Sequence, residues 1–164
     1  MTEKFETYLG VGSNLGDRES NIKSALFQLE KIVKIERASK IYETAPWGYQ
    51  DQPKFLNIVL KCVTGMPPND LLISCKSIEK NAGRQVGFRF GPRTLDIDIL
   101  AYGNLVMGNA SLVIPHAMLH MRAFVLIPMK EIAPDWIHPV LKMSIDEMID
   151  QLETSEDVTY WAAK

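Results

Sequence analysis

The segment GPRTLDIDIL, residues 91–100, places Asp96 and Asp98 one residue apart inside an otherwise apolar run. In an extended strand successive side chains point to opposite faces, so Leu95, Ile97 and Ile99 share one face and the two carboxylates the other. A carboxylate pair of this kind is compatible with a solvated sheet face, and also with a divalent-cation site. Carboxylates about 7 Å apart along a strand can hold two Mg²⁺ ions about 3.5–4 Å from each other, with positions left for water and phosphate oxygens. The company of the aspartates favours the second reading, because four of the chain's six arginines, Arg84, Arg89, Arg93 and Arg122, lie in the flanking segments. Divalent cation together with guanidinium is polyphosphate chemistry: the metal neutralises and orients the phosphates, while the planar forks grip oxygens in pairs. Glu79 is a further anomaly, a carboxylate at the edge of an apolar helical stripe that also contains Leu72, Cys75 and Ala82.

These residues need elements to position them. FETYLGVGS reads as a first strand, closed by the turn residues of GSNLGDRES, with Asp17 as a helix cap. Ile22, Ala25, Leu26, Leu29, Ile32 and Val33 recur at helical spacing and predict a helix over about residues 18–33. KIERASKIYE alternates as a second strand, TAPWGYQDQP is a loop, and KFLNIVLKCVT is a third strand with Leu56, Ile58, Leu60 and Cys62 on one face. Phe55 and Asn57 then share the opposite face, an aromatic and an amide turned out of the core together. Pro67 and Pro68 open a second helix carrying Leu71, Leu72, Cys75, Ile78 and Ala82, with Gly83 as its cap. TLDIDILAYG is the fourth strand. The order β-α-β-β-α-β predicts an α+β, ferredoxin-like sandwich: an antiparallel sheet with helices packed on one face. The last 60 or so residues add a short hairpin near 104–113, a helix near 122–132 and an amphipathic stretch containing Ile145, Met148, Ile149 and Leu152. GRQVGFRFG, residues 83–91, with three glycines and two arginines between helix and strand, is expected to act as a lid over phosphates.

The chain has 164 residues, 46% of them hydrophobic, as expected for one compact domain over 1–164. A net charge of -2 and a pI near 5.9 provide no general attraction for nucleic acid or anionic membrane, so any anion must be gripped locally. Cys62 and Cys75 have neither metal-site nor redox-motif spacing, and no signal segment or long apolar run is evident, which points to a cytoplasmic protein. GVGSNLG spaces its glycines as GxGxxxG and no GxxxxGK[ST] occurs, so a bound nucleotide would be held by metal and side chains rather than a phosphate loop.

GSNLGDR, the pattern Y-x-T-x-P-x-G-x-Q-D-Q-P-x-F-x-N, GPRTLDIDIL, and IPH followed by RAFVLIPMKEIAP together resemble the 6-hydroxymethyl-7,8-dihydropterin pyrophosphokinase family, in order and over nearly the whole chain. The resemblance implies a Mg²⁺-dependent enzyme of folate synthesis that passes the diphosphate of ATP to the pterin hydroxymethyl oxygen and releases AMP. It implies Asp96 and Asp98 as ligands of two Mg²⁺ ions, and Arg84, Arg93, His116 and Arg122 as phosphate contacts, with Arg84 and Arg93 catalytic alongside the aspartates. Glu79 and the backbone near Ile99 would meet the nucleoside. The pterin would stack between Phe55 and Phe124, pair with Asn57 and touch the backbone of Thr44, Ala45 and Trp47, with Asp96 among its contacts. Phe90 stands where the family has a tryptophan, the RQVGFRF segment is one residue short, and Ala117 follows His116 in place of an aromatic. A monomer is expected, with a dimer as the alternative, and neither nucleic acid nor membrane as partner. A Mg²⁺-dependent transferase acting on another alcohol would use the same carboxylates and arginines. A ferredoxin-like RNA-binding module is the non-enzyme alternative, which the acidic pair on the sheet disfavours.

Overall fold

A computed structural model describes residues 3–84, 87–153 and 157–162. The first strand β1 (Phe5–Ser13) leads to α1 (Arg18–Leu29), whose first turn is capped by Asp17, its carboxylate accepting from the Ser20 N–H at 3.1 Å. The helical period continues to Val33, yet α1 stops at Leu29. The chain leaves through tight turns in which the N–H groups of Ile32 and Val33 both donate to the Leu29 carbonyl, and Val33 still reaches the core.

The stretch expected as one second strand is two, β2 (Lys34–Ala38) and β3 (Tyr42–Thr44). Both pair with the long β4 (Phe55–Thr64), β2 through a register shift between Ile35 and Arg37. Ser39 makes the break: its N–H donates to the Val59 carbonyl at 2.9 Å, and its hydroxyl accepts from the Val59 N–H at 3.0 Å. After α2 (Pro68–Asn81) comes β5 (Asp96–Tyr102), then a two-residue hairpin of β6 (Met107–Gly108) and β7 (Val113–Ile114). A turn of 3-10 helix over Leu119–Met121 precedes α3 (Ala123–Ile132) and α4 (Ile145–Asp150). A last strand β8 (Val158–Tyr160), unmarked in the sequence pattern, pairs antiparallel with β3.

The main sheet runs β5-β1-β4-β3-β8, with β2 also on β4, and its pairings are antiparallel. In terms of the four strands expected, this is the order four-one-three-two of the ferredoxin-like sandwich. On one face Leu9, Val11, Leu56, Ile58, Leu60, Ile97 and Ile99 meet Ile22, Ala25 and Leu29 of α1 and Leu71 and Cys75 of α2.

The opposite face corrects the expectation of helices on one side only. A second core of Tyr8, Val59, Leu100 and Ala101 is covered by Leu126, Met129 and Ile132 of α3 and by Ile145 and Met148 of α4. A bulge makes this possible. Tyr8 pairs with Ala101 but Leu9 pairs with Ile99, so Leu100 is the extra residue and β5 can send Ile99 to one core and Leu100 with Ala101 to the other. Strand alternation alone would have placed Leu100 and Ala101 on opposite faces.

If the second core carries weight equal to the first, Leu126→Ala and Leu71→Ala, both at fully buried positions, should each destabilise the protein by about 2–5 kcal/mol in urea unfolding. A loss below about 1 kcal/mol for Leu126→Ala alone would reduce α3 to a loosely attached cover.

Candidate active site

Between the uncovered part of that second sheet face and the start of α3 lies a cavity of about 230 Å³. Its floor is sheet: Asp96, Asp98 and Leu100 from β5, Gly10 and Gly12 from β1, Phe55, Asn57 and Val59 from β4. The alternation read from the sequence therefore holds for both strands. Thr44, Ala45 and Trp47 form one wall, Arg89 to Gly91 with Arg93 another, and His116, Arg122 and Phe124 close the side beneath α3. Twelve of the residues proposed from the sequence, Thr44, Ala45, Trp47, Phe55, Asn57, Arg84, Arg93, Asp96, Asp98, His116, Arg122 and Phe124, line this one cavity.

Ile99 is elsewhere: its side chain is in the first core, and it lines a second cavity of about 310 Å³. That cavity adjoins the first through Lys76, Asp98 and His116 and is completed by Leu72 and by the 109–113 hairpin turn. Ala117 lines it, while Phe90 lines the first cavity. Glu79 lines neither. It is buried beneath the floor, where Oε1 accepts the Ile97 N–H at 2.8 Å and Oε2 pairs with Arg84.

Five cations, Lys76, Arg84, Arg89, Arg93 and Arg122, face two carboxylates around the first cavity, a local excess of positive charge on an acidic chain. Arg84 Nη1 lies 3.1 Å from Asp96 Oδ1. Arg122 stands 3.8 Å from Asp98 Oδ2, with its guanidinium 4.7 Å over the Trp47 ring and 5.4 Å over Phe124. Burial, and then the charge of Asp96, push the Asp98 carboxyl up to about 7, with Arg122 pulling the other way. Glu79 is also raised, first by burial, while the Ile97 N–H and the Arg84 charge favour its ionised form.

His116 is held against β5 by its backbone N–H, which donates to the Leu100 carbonyl at 2.9 Å. Its Nδ1 accepts from the Met118 N–H at 3.2 Å, so the proton of the neutral ring is on Nε2. Burial and the Arg122 charge lower its pKa to about 4, which keeps a neutral N–H donor in the cavity at physiological pH.

The aromatic half is arranged by side-chain contacts and one close glycine. Asn57 donates from Nδ2 to Thr44 Oγ1 at 2.7 Å, which turns its Oδ1 toward Gly12. A Cβ on Gly12 would sit 2.5 Å from that oxygen, so Asn57 can hold its place only above a glycine. Gly12, Gly10, Lys76 and Val125 are site residues that the sequence reading missed. The first two carried a signal, as glycines inside a strand mark a close approach. Trp47 and Phe90 meet edge to face at 5.1 Å, as do Tyr49 and Phe88 at 5.0 Å, so residues 88 and 90 of the expected lid, 83–91, lie against the 47–49 loop. Residues 85 and 86 of that segment fall outside the described residues.

Among the described residues no group of three or more His, Cys, Asp or Glu forms a metal cage. Two half-buried carboxylates facing an open cavity do suit Mg²⁺, which is commonly held by one or two carboxylates with the remaining positions filled by water and phosphate oxygens. In metal-free protein the raised pKa of Asp98 is a cost that grows with pH. The folded state binds its proton more tightly than the unfolded chain does, so the associated stability is complete below the ordinary carboxyl pKa and is lost as pH rises through about 7. Asp98→Asn should therefore melt above the wild type at pH 8 in EDTA, with the difference closing toward pH 4; equal melting temperatures at pH 8 would remove the charge conflict from this site.

Residues 8–134 match the family model for 7,8-dihydro-6-hydroxymethylpterin-pyrophosphokinase, HPPK. The chain is 44% identical over 140 residues, 85% of its length, to the 2-amino-4-hydroxy-6-hydroxymethyldihydropteridine pyrophosphokinase of Aquifex aeolicus, of which it covers 88%. It is 42% identical to the enzyme of the same name from Methylorubrum extorquens, covering 79% of this chain and 84% of that one. A folic acid synthesis protein of Dictyostelium discoideum is 43% identical over 86% of this chain, which spans only 22% of that longer protein. In fold, the chain resembles the HPPK-DHPS of Plasmodium falciparum crystallised with pteroate, at a TM-score of 0.73 and 16% identity, over 92% of this chain and 43% of that one. From the match over residues 8–134 and these relatives, the chain belongs to the 7,8-dihydro-6-hydroxymethylpterin-pyrophosphokinase family.

Proposed function

We infer that the first cavity, with five cations around two carboxylates on a sheet floor, is where the family's reaction takes place: the diphosphate of ATP passes to the hydroxymethyl oxygen of 6-hydroxymethyl-7,8-dihydropterin, and AMP leaves. The observation that carries the reading is the meeting of a charged half, which holds Asp96 and Asp98, and an aromatic half in one cavity.

Asp96 and Asp98 would hold two Mg²⁺ ions, which would supply positive charge against the phosphates at this point. Arg84, Arg93 and Arg122 grip the phosphate chain and follow charge that moves onto the transferred group. His116 adds a neutral Nε2–H donor, which binds phosphate oxygen without needing a proton from solution. The pterin enters the aromatic half, stacked between Phe55 and Phe124, its amide edge toward Asn57 and the backbone of Thr44, Ala45 and Trp47. The adjoining cavity beside Ile99 is the place for the nucleoside, with Lys76 at the junction; Glu79 supports it from beneath. The chain acts as one domain, in the cytoplasm, and as a monomer. No described helix is long and apolar enough to cross a membrane. The RNA-binding alternative needs an open sheet face, and α3 and α4 cover much of it here.

The decisive assay follows AMP release from ATP and Mg²⁺ with and without the pterin. AMP should form only with the pterin present, and comparable AMP release with other primary alcohols would turn the reading toward a less selective transferase. Asp96→Ala and Asp98→Ala should each lower turnover at least about a hundredfold while the fold persists, since both side chains face away from the first core. Asn57→Ala should weaken pterin binding by about 1–3 kcal/mol in a fluorescence titration, leaving nucleotide affinity unchanged. Equal losses for both ligands would assign Asn57 to the fold instead.

A further inference from the structure

Two residues of the quoted motifs, Asn14 of GSNLG and Gln52 of QDQP, line neither cavity, yet their side-chain amides meet between the two walls of the active site. Asn14 is only 2% exposed and makes hydrogen bonds through both ends of its side-chain amide and through its backbone N–H. Its Nδ2 donates to Gln52 Oε1 and to the Pro53 carbonyl, both at 2.9 Å; its Oδ1 accepts the Arg93 N–H at 2.7 Å; its backbone N–H donates to the Arg93 carbonyl at 3.0 Å. Both polar groups of the Arg93 backbone are thus tied to one asparagine. Gln52 continues the chain, donating from Nε2 to the carbonyls of Tyr49 at 2.8 Å and Phe90 at 2.6 Å.

The Phe90 carbonyl is an informative partner. Phe90 has φ 61, a left-handed conformation that a bulky residue adopts only when its surroundings impose it. What imposes it is on both sides: the Gln52 amide on the carbonyl, and Gly48 beneath the ring, where a Cβ would come within 2.8 Å of Phe90 Cδ2. The strain is held at the point where the segment leading to Arg93 crosses the loop carrying Trp47.

We propose that Asn14 and Gln52 are positioning residues, a pair of side-chain amides that locks the pterin wall to the Arg93 wall so that the two substrates are held in one mutual geometry. The proposal rests on the reading of the cavity given above. In such a site the two walls can each bind a ligand while the distance between the reacting oxygen and the phosphorus is wrong by an ångström, an error that costs about a hundredfold in rate. Loss of the lock therefore acts on the chemical step more than on either binding equilibrium.

Gln52→Met keeps the side-chain length and removes both donors and the acceptor; Gln52→Glu keeps the shape but sets a carboxylate against two carbonyls. The measurements are the single-turnover rate of AMP formation with both substrates saturating, the separate affinities for the pterin and for a non-hydrolysable ATP analogue, and the melting temperature. For both variants the rate should fall at least about tenfold, while each affinity stays within about threefold and melting within about 2 °C. In a cycle with Asn14→Ala, the double variant should be no slower than the slower single one, as expected for residues acting as a unit. An unchanged single-turnover rate in both Gln52 variants would overturn the proposal, as would losses of rate, affinity and stability that run in parallel. Should the wild type itself form no AMP with the pterin, the reading of the cavity fails rather than this one.

Discussion

The structure depends on a buried carboxylate in an unusual service. β5 carries both aspartates, yet it is an edge strand, paired with β1 on one side only. Its open side presents the Ile97 N–H, and Glu79 of α2 accepts that bond in place of a neighbouring strand. A carboxylate buried to 2% exposure is expensive without compensation, and here Arg84 supplies it, together with the Ile97 N–H. Arg84 then extends to Asp96. One interaction thus caps the strand, ties it to α2 and aims a guanidinium at the first of the two carboxylates.

Above that foundation the site is divided by physical character. On the β5 side the side chains are charged, and burial, reinforced by the neighbouring Asp96 charge, raises the Asp98 carboxyl so that it holds its proton toward neutral pH. Such a pair is an unfavourable arrangement for the protein alone and a favourable one for divalent cations. On the β4 side the surfaces are flat and aromatic, with one amide oriented by Thr44 and given room by Gly12. Arg122 belongs to both halves, close to Asp98 and stacked over Trp47 and Phe124.

Much of this was legible where the signal is periodic. Alternation in LDIDI and FLNIV sorted Asp96, Asp98, Phe55 and Asn57 onto the functional face, and the 3.6 period located α1 and α2. What was not legible came from partners far apart in sequence. The α3 segment AFVLIP is apolar almost throughout, so no stripe showed that it would cover a second core, and the bulge at Leu100 interrupts alternation without any glycine to mark it. β8 is three residues long. Glu79 read as the edge of a stripe because its acceptor role depends on the Ile97 N–H, 18 residues further on. Asn14 and Gln52, 38 residues apart, looked like ordinary turn residues.

The central claim is that Asp96 and Asp98 form a cation site completed by the phosphates of a nucleotide. Electron paramagnetic resonance of Mn²⁺ tests it directly, by counting ions bound to the protein with a non-hydrolysable ATP analogue and the pterin. The wild type should bind two Mn²⁺ ions per chain in the ternary complex, and Asp98→Asn should lose at least one of them while still binding the pterin. Two ions held with undiminished affinity by a variant lacking both carboxylates would contradict the account.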